Sequence, residues 1–406
     1  MQQAQQSHYG HVFRGKNDAD LVDALYVHVP FCFHKCHYCD FYSIVGKQDG
    51  EGDRQSAFIH ALQLELLGRL CERRLKAKTI FVGGGTPTLL NAECWARLLE
   101  ILSQTVEIEH VKEFTVEANP ETVTAELMRQ LVQGYNGLGV NRLSIGAQSF
   151  DEKLLKVLER WHDPSNVGKA VGYAREANIK QINLDMIFAI PGQTMAQLEE
   201  DVARVIDLEP DHISAYSLIF EPNTPLTQKR KMGLIQSVGE QREHDMYARV
   251  IELLAAADYE QYEISNWAKT KDNHCLHNLL YWQNANWLGV GPGAASHVNG
   301  LRWKNEAHIG KYLKAFADDS AEALPPIMDI ERLDTDGQVG EKLMLGLRLR
   351  EGVLKQWIDS HVPTDSARGK MIAELKEIGM LEEVEGYLRL TQRGLFVGDA
   401  VISRLL

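Results

Sequence analysis

Three cysteines stand within eight residues of this 406-residue chain: Cys32, Cys36 and Cys39, in the run HVPFCFHKCHYCDFYS. Thiolates are soft ligands suited to iron–sulfur clusters or zinc. At C-x3-C-x2-C spacing they can hold three metal positions and leave a fourth open, as catalysis on a small molecule requires. A structural zinc site usually brings a second cysteine couple downstream, but Cys71, Cys94 and Cys275 are scattered. Zinc completed by His28, His34, His37 or Cys275 is therefore the secondary reading, and a [4Fe–4S] cluster the primary one. More candidate groups follow, each at the end of an apolar run or in the loop after one. GGGTP, Gly83–Pro87, lets backbone approach a ligand closely through Gly84, Gly85 and Thr86. Glu117 in VEANP can accept from an ammonium or a ribose. Gln148 in LSIGAQSF can both donate and accept. Arg160 in LERWHD can grip a carboxylate. Asp185 lies among Leu184, Met186 and Ile187, where an acid is costly unless paired. Taken singly, each of these also reads as an ordinary turn, cap or surface group.

The elements that must position these groups repeat one pattern. The apolar runs Leu25–Val29, Thr79–Val82, Glu113–Glu117, Arg142–Gly146, Gln181–Ile187 and His212–Leu218 are strands. Helical stretches alternate with them: Gln55–Arg73, Ala92–Gln104, Ala125–Gln133, Pro164–Ala177 and Met195–Leu208. Such alternation predicts an α/β fold of parallel βα units, either a partial barrel or an open doubly wound sheet. After Phe220, EPNTPLTQKRKMG reads as a turn-rich basic link. A helix at about Gly239–Ala257 and a strand at Tyr259–Ile264 follow, and Asn273–His297 reads as a loop-bearing surface. The C-terminus predicts a small helical, winged-helix-like module: helices at Gly337–Arg348 and Ser366–Ile378, a hairpin of Leu381–Val384 and Tyr387–Leu390 across Glu385-Gly386, and a helix from Gln392. The expected organisation is an arm over 1–21, a core over 22–238, a linking segment over 239–325 and a C-terminal domain over 326–406.

Composition narrows the function. A 44% hydrophobic and 24% charged chain is ordinary for a globular protein. The net charge of −13, and Glu382, Glu383 and Glu385 in the hairpin, argue against a nucleic-acid partner. No apolar run approaches the ~20 residues of a membrane helix, and the first residues carry no signal core. The expectation is a cytoplasmic protein with at most peripheral membrane contact.

C-x3-C-x-Y-C after a first βα strand resembles the signature of the radical S-adenosylmethionine (SAM) superfamily. That resemblance implies a partial (β/α)6 barrel holding a [4Fe–4S] cluster on Cys32, Cys36 and Cys39. Its open iron binds SAM, and reduction of the sulfonium releases methionine and a 5′-deoxyadenosyl radical. The resemblance also implies SAM contacts: Gly84, Gly85 and Thr86 for the methionine amino group, Glu117, Gln148 and Asp185 for polar groups including the ribose, Arg160 for the carboxylate, and Tyr26. Tyr38 is the aromatic beside the last cysteine. YVHVPFC, GGGTP, EANP, NRLSIGAQSF, PGQT and YEISNWA are similar to the HemN/HemW group, which holds oxygen-independent coproporphyrinogen III oxidases and heme chaperones. The oxidases add a cysteine where this chain has Phe41, and they carry a longer N-terminal extension. CLHNLLYW, Cys275–Trp282, resembles the heme-binding motif of the chaperones. It implies His277 as an axial ligand, with Cys275 and His274 as alternatives, and Tyr281 and Trp282 as stacking partners. The plain reading of the same segment is a His–Asn turn packed by core aromatics. The chaperone branch implies heme as cargo, heme-accepting respiratory proteins as clients, and an electron donor for the cluster. The alternative is oxidative decarboxylation of coproporphyrinogen III.

Overall fold

A computed structural model describes residues 21–46, 51–71, 73–320 and 323–406. The arm expected over 1–21 lies, but for Leu21, outside the described residues. The six apolar runs form six adjacent parallel strands: β1 (Ala24–Val29), β2 (Thr79–Gly84), β3 (Glu113–Ala118), β4 (Arg142–Gln148), β5 (Gln181–Phe188) and β6 (His212–Ser217). Between them run α1 (Glu51–Leu70), α2 (Ala92–Thr105), α3 (Ala125–Gln133), α4 (Glu152–Leu158), α5 (Ser165–Glu176) and α6 (Met195–Asp207). The helices start where the sequence caps them. Asn91 accepts from Cys94 N–H at 2.8 Å, and Thr194 and Gln197 form a capping box. In α2, Trp95, Leu98, Leu99 and Leu102 recur at helical spacing and are buried against the strands.

Two parts of the chain depart from the expectation. EPNTPLTQKRKMG is not a turn-rich link but carries α7 (Pro225–Lys231). Proline stands in its first turn, and Thr224 accepts from Thr227 N–H. Residues 239–325 are not a linking segment either. α8 (Glu240–Ala256) packs on α6. β7 (Glu260–Glu263) and β8 (Asn266–Ala268) pair antiparallel onto β6. After α9 (Leu276–Trp282), β9 (Trp287–Val290) adds in parallel to the other edge, beside β1. β10 (Ala295–Val298), β11 (Leu301–Asn305) and β12 (Ile327–Arg332) continue it antiparallel. The sheet order is β12-β11-β10-β9-β1-β2-β3-β4-β5-β6-β8-β7. An open parallel half-barrel leaves two unpaired edges, and this segment covers both. Its Met246, Trp267, Leu288 and Tyr312 share one core with Leu25 and Ile80. Buried Glu65 of α1 ties the added edge in place. It accepts from Arg69 Nε, Asn305 Nδ2 and Tyr312 Oη at 2.8 Å and from Gly291 N–H at 2.9 Å.

The segment Asn273–His297 is likewise no surface loop. α9 and the turn before it close the N-terminal mouth of the barrel, bonded to the first residues of four strands. His277 Nδ1 lies 2.8 Å from Thr79 Oγ1. The Glu113 carboxylate accepts from Leu276 and His277 N–H at 2.8 and 3.0 Å. Arg142 Nη1 donates to Asn273 O at 3.2 Å, and Gln181 Nε2 to Asp272 O at 2.7 Å. The acid at the start of β3 thus satisfies N–H groups that the helix leaves unpaired.

The C-terminal module has its own core around Leu343, Leu347, Ile372 and Leu388. Its small sheet has the order β13 (Val353–Leu354), β15 (Tyr387–Leu390), β14 (Leu381–Val384). It clasps the barrel by Ile264 N–H to Arg348 O, Arg350 N–H to Tyr262 O, and Glu341 against Arg302 and Asn284.

Candidate functional site

Polar and apolar residues alternate along the core strands, and the polar face lines one cavity of about 490 Å³ inside the barrel. In β4, Leu143, Ile145 and Ala147 pack into the core, whereas Arg142, Ser144, Gly146 and Gln148 line the lumen. Thr115 and Glu117 of β3, Asn183 and Asp185 of β5, and His212 and Ser214 of β6 do the same. The cavity runs from the cysteine loop, at the C-terminal ends of the strands, to Cys275 and Asn278 on the floor segment.

At the mouth, Cys32, Cys36 and Cys39 all line the cavity and all are free thiols. Their loop is pinned on both sides. Cys32 ends a two-residue parallel ladder of Phe31–Cys32 with Ile44–Val45, and His37 bonds through its backbone to Leu158 and Leu226. Thr86 Oγ1 donates to Cys32 Sγ at 3.8 Å and Arg160 Nη1 to Cys36 Sγ at 3.7 Å. Among the described residues, the three sulfurs do not all lie within 4.8 Å of one another. Thiolates on one tetrahedral zinc stand only about 3.8 Å apart, given Zn–S near 2.3 Å. The spacing accords with a multi-iron cluster.

Below the cysteines the GGGTP turn forms a shelf. Gly84 has φ +105°, and a Cβ there would lie 2.5 Å from the His28 ring. A Cβ on Gly85 would meet Phe31 O at 2.6 Å. Only glycine fits either place. Gly84 N–H donates to Glu117 at 3.0 Å. Burial, with the Asp185 carboxylate nearby, pushes Glu117 up to about 7, although the Gly84 N–H pulls it down. Asp185 is also raised by burial, against hydrogen bonds from Ser144 Oγ (2.9 Å) and Asn183 Nδ2 (2.7 Å). Gln148 sits at φ +63° on a bulge that ends β4, a strained conformation that turns its amide into the cavity. Arg160 donates to Gly146 O at 3.1 Å, and its Nε is buried without a partner. An orphaned donor of this kind awaits an acceptor.

Of the residues singled out in the sequence, Tyr38, Gly84, Gly85, Thr86, Glu117, Gln148, Arg160 and Asp185 line the same cavity as the cysteines. Tyr26 does not. It lies behind the shelf, its hydroxyl 3.1 Å from His28 Nδ1. His277, Tyr281 and Trp282 do not line it either. His277 is buried in the barrel floor, stacked on Phe81, with Nδ1 on Thr79 and Nε2 on the Tyr281 hydroxyl at 3.0 Å. Burial lowers it to about 3, so the ring is neutral. Trp282 carries the Arg348 guanidinium over its ring at 5.0 Å. The residues of that segment that face the lumen are Cys275 and Asn278. Arg142, Thr115, Asn183 and His212 were missed as lumen groups. Their signal is the period-two spacing of polar residues in EFTVEA, RLSIGAQ, QINLDMIF and HISAYS.

Residues 26–205 match the Radical SAM superfamily, and residues 312–397 match the HemN C-terminal domain. The heme chaperone HemW of Lactococcus lactis is 33% identical over 386 residues, covering 95% of this chain and 97% of that protein. The HemW of Bacillus subtilis is 33% identical, covering 95% and 99%. The chain belongs to the HemW family. The Escherichia coli HemW is 38% identical over 68% of this chain. Among solved structures, the radical SAM enzyme coproporphyrinogen III oxidase (HemN) of E. coli superposes with a TM-score of 0.81, covering 98% of this chain and 93% of that one. At 21% identity, that likeness establishes for this HemW-family chain the fold alone. Radical SAM membership carries a [4Fe–4S] cluster and SAM. The three-thiol loop, the glycine shelf and the orphaned Arg160 donor fit both groups.

Proposed function

We propose that this chain is a heme chaperone that holds a [4Fe–4S] cluster, SAM and heme, and passes heme to respiratory-chain proteins. The observation that carries the reading is the end-to-end identity with proteins named heme chaperones in two bacteria. Phe41 supports it. It stands 63% exposed at the cavity mouth, where the oxidases have a further cysteine. No helix among the described residues is long and apolar enough to cross a membrane. We place the protein in the cytoplasm, with peripheral membrane contact at most, and with a reductant for its cluster.

Cys32, Cys36 and Cys39 would ligate the cluster, which when bound supplies one-electron reduction of the SAM sulfonium. The protein's own groups bind and orient. Gly84, Gly85 and Thr86 offer backbone to the methionine amino group, and Arg160 takes the carboxylate. Gln148 and Asp185 take the ribose. Glu117 accepts from the ammonium, and Tyr38 flanks the last cysteine. Tyr26 acts through His28, whose ring underlies Gly84. A carboxyl that titrates near 7 gives this site a pH signature. Gly84 N–H, Asp185, Tyr26 and Tyr281 are the groups that act on or feel Glu117. Because its folded pKa is raised, the apo protein gains from the neutral form and loses that gain as pH rises from the ordinary carboxyl range through about 7. An arriving ammonium favours the carboxylate. SAM affinity measured by calorimetry should therefore rise as pH passes through 7, with proton release below it. Glu117→Gln should flatten the profile, and a profile shared by wild type and variant would remove Glu117 from the site.

His277 can reach heme iron only if α9 leaves the barrel floor, because both ring nitrogens are occupied there. Cys275 is buried, and burial pushes its thiol up to about 12. His274, half-buried and stacked on Tyr262, has a ring nitrogen, Nε2, without a partner. Tyr281 and Trp282 flank whichever ligand serves. The test is anaerobic reconstitution followed by parallel heme-binding and coproporphyrinogen assays. The expected result is heme binding with no protoporphyrinogen formed. His277→Ala should weaken heme binding and shift the Soret band at unchanged cluster content. If it leaves heme unaffected, His274→Ala should carry the loss instead. Robust decarboxylation by the wild type would overturn the chaperone reading.

A further inference from the structure

The floor of the barrel holds a buried cation that is in no salt bridge. Arg142 is 2% exposed and lines the cavity. Both its hydrogen bonds leave from Nη1, to Gln181 Oε1 at 2.5 Å and to Asn273 O at 3.2 Å. Among the described residues, no carboxylate lies within 4.0 Å of it, and Nε and Nη2 have no hydrogen-bond partner. Asp185 is the acid of the lumen that acts on it, but Ser144 and Asn183 hold both its oxygens. Ser144 sits two residues above Arg142 on β4, and Asp185 is paired with Gly146, four above. The Glu113 carboxylate, two residues below Thr115 on β3, is likewise taken up, by the Leu276 and His277 N–H groups. Burial holds His212 neutral and keeps the Tyr262 hydroxyl and the Cys275 thiol protonated. A buried guanidinium left so is costly unless an anion joins it.

Two further donors line the same cavity. Thr115 is the register partner of Arg142 on the neighbouring strand, and its Oγ1 is buried with no hydrogen-bond partner. Asn278, on the floor helix α9, lines the cavity. Phe81, paired with Thr115 on β2, forms an apolar wall. We propose that Arg142, Thr115 and Asn278 bind a carboxylate at the floor of the barrel, carried by a short apolar chain that lies against Phe81. The free guanidinium edge takes the two oxygens in bidentate fashion, and the hydroxyl and amide donate to them. Glu117 is paired with Ser144, one lumen layer above Arg142. Two strand residues separate the layers by roughly 6–7 Å, room for a chain of a few carbons beneath the SAM shelf. Such a group could be a free short-chain acid or the acid arm of a larger ligand. A porphyrin propionate qualifies only if the heme reading above holds.

The probe is carboxyl-13C-labelled propionate, added to cluster-reconstituted full-length protein with SAM present. The expected result is a saturable shift of the carboxyl resonance, competed by unlabelled propionate and not by propionamide. Arg142→Met should weaken it ~10- to 100-fold, the loss expected for a charge-assisted pair. Because Arg142 also clasps Asn273, Thr115→Val and Asn278→Leu are run beside it. Each removes one donor, keeps the clasp, and should weaken propionate several-fold. No saturable shift in the wild type, equal competition by propionamide, or equal affinity across wild type, Thr115→Val and Asn278→Leu would overturn the proposal. Titrations with heme and heme dimethyl ester separate the sources. If Arg142→Met weakens heme but not the ester, the carboxylate is a propionate arm. If only free propionate depends on Arg142, it is a small acid. Propionate bound by a protein that takes up no heme would sink the heme reading and leave this site standing.

Discussion

Replacing Cys32, Cys36 and Cys39 together with alanine should yield a folded protein with no 4Fe–4S absorbance and no cluster iron. The loss is all-or-none, because three ligands hold the cluster to the chain and each alanine removes one outright. The fold should survive because the loop stands at the mouth of the barrel, outside the core packed around Leu25, Ile80 and Leu143. Its backbone anchors, His37 to Leu158 and Leu226, and Thr86 to Phe31, use no thiol. Circular dichroism and iron analysis on one sample make the check. A triple variant that still held four irons would move the cluster elsewhere. One that lost its helical signal with its iron would show that the loop is needed to build the barrel.

Arg160→Ala and Glu117→Ala should each cut SAM affinity by ~10- to 150-fold, the range for a lost charge-assisted contact. Cluster content should remain. Arg160 sits close to one cysteine, since Nη1 reaches Cys36 Sγ. For that reason the readout is SAM affinity normalised to cluster iron. Equilibrium dialysis against SAM on reconstituted protein provides it. Unchanged affinity in both variants would mean that the pocket between the shelf and the bulge does not take SAM. A loss confined to Arg160→Ala would leave the carboxylate contact standing and withdraw the ammonium contact from Glu117.

The sequence is most legible where chemistry demands particular residue types. Cysteines, glycines and isolated charges stand out against apolar strands, and the structure gathers eight of the residues so marked around one cavity with the cysteines. Three strand ends are legible for the same reason, since Gly84, Asn119 and Gln148 mark the C-terminal ends of β2, β3 and β4. Two things were not legible. One is the destination of 239–325: short strands such as Glu260–Glu263 and Asn266–Ala268 carry too few residues for a periodic signal, and the partner of the second on β6 is remote in sequence. The other is the burial of His277. The segment reads either as a loop-bearing surface with a heme ligand or as a His–Asn turn packed by core aromatics, and only the bonds of Thr79 and Tyr281 to its two nitrogens decide for the second. The lumen residues were readable in principle. Their alternation was masked because β4 and β5, covered by helices, read as apolar strands with scattered polar exceptions, when the exceptions are one face.

The floor helix has a bearing on how the chain is made. α9 lies about 60 residues after β6 in sequence, so the six core strands leave the ribosome before the segment that seals them. Until Leu276–Trp282 arrives, the half-barrel is a trough open at both ends, with Arg142, Asn183 and Asp185 wetted by solvent. β9 must then travel back to pair with β1, Ala24 meeting Trp287, across more than half the chain. Contacts so far apart in sequence form late and slowly. The nascent protein thus passes through a stage in which its polar lumen is accessible from below, and a ligand destined for the floor could enter by that route before the door is hung.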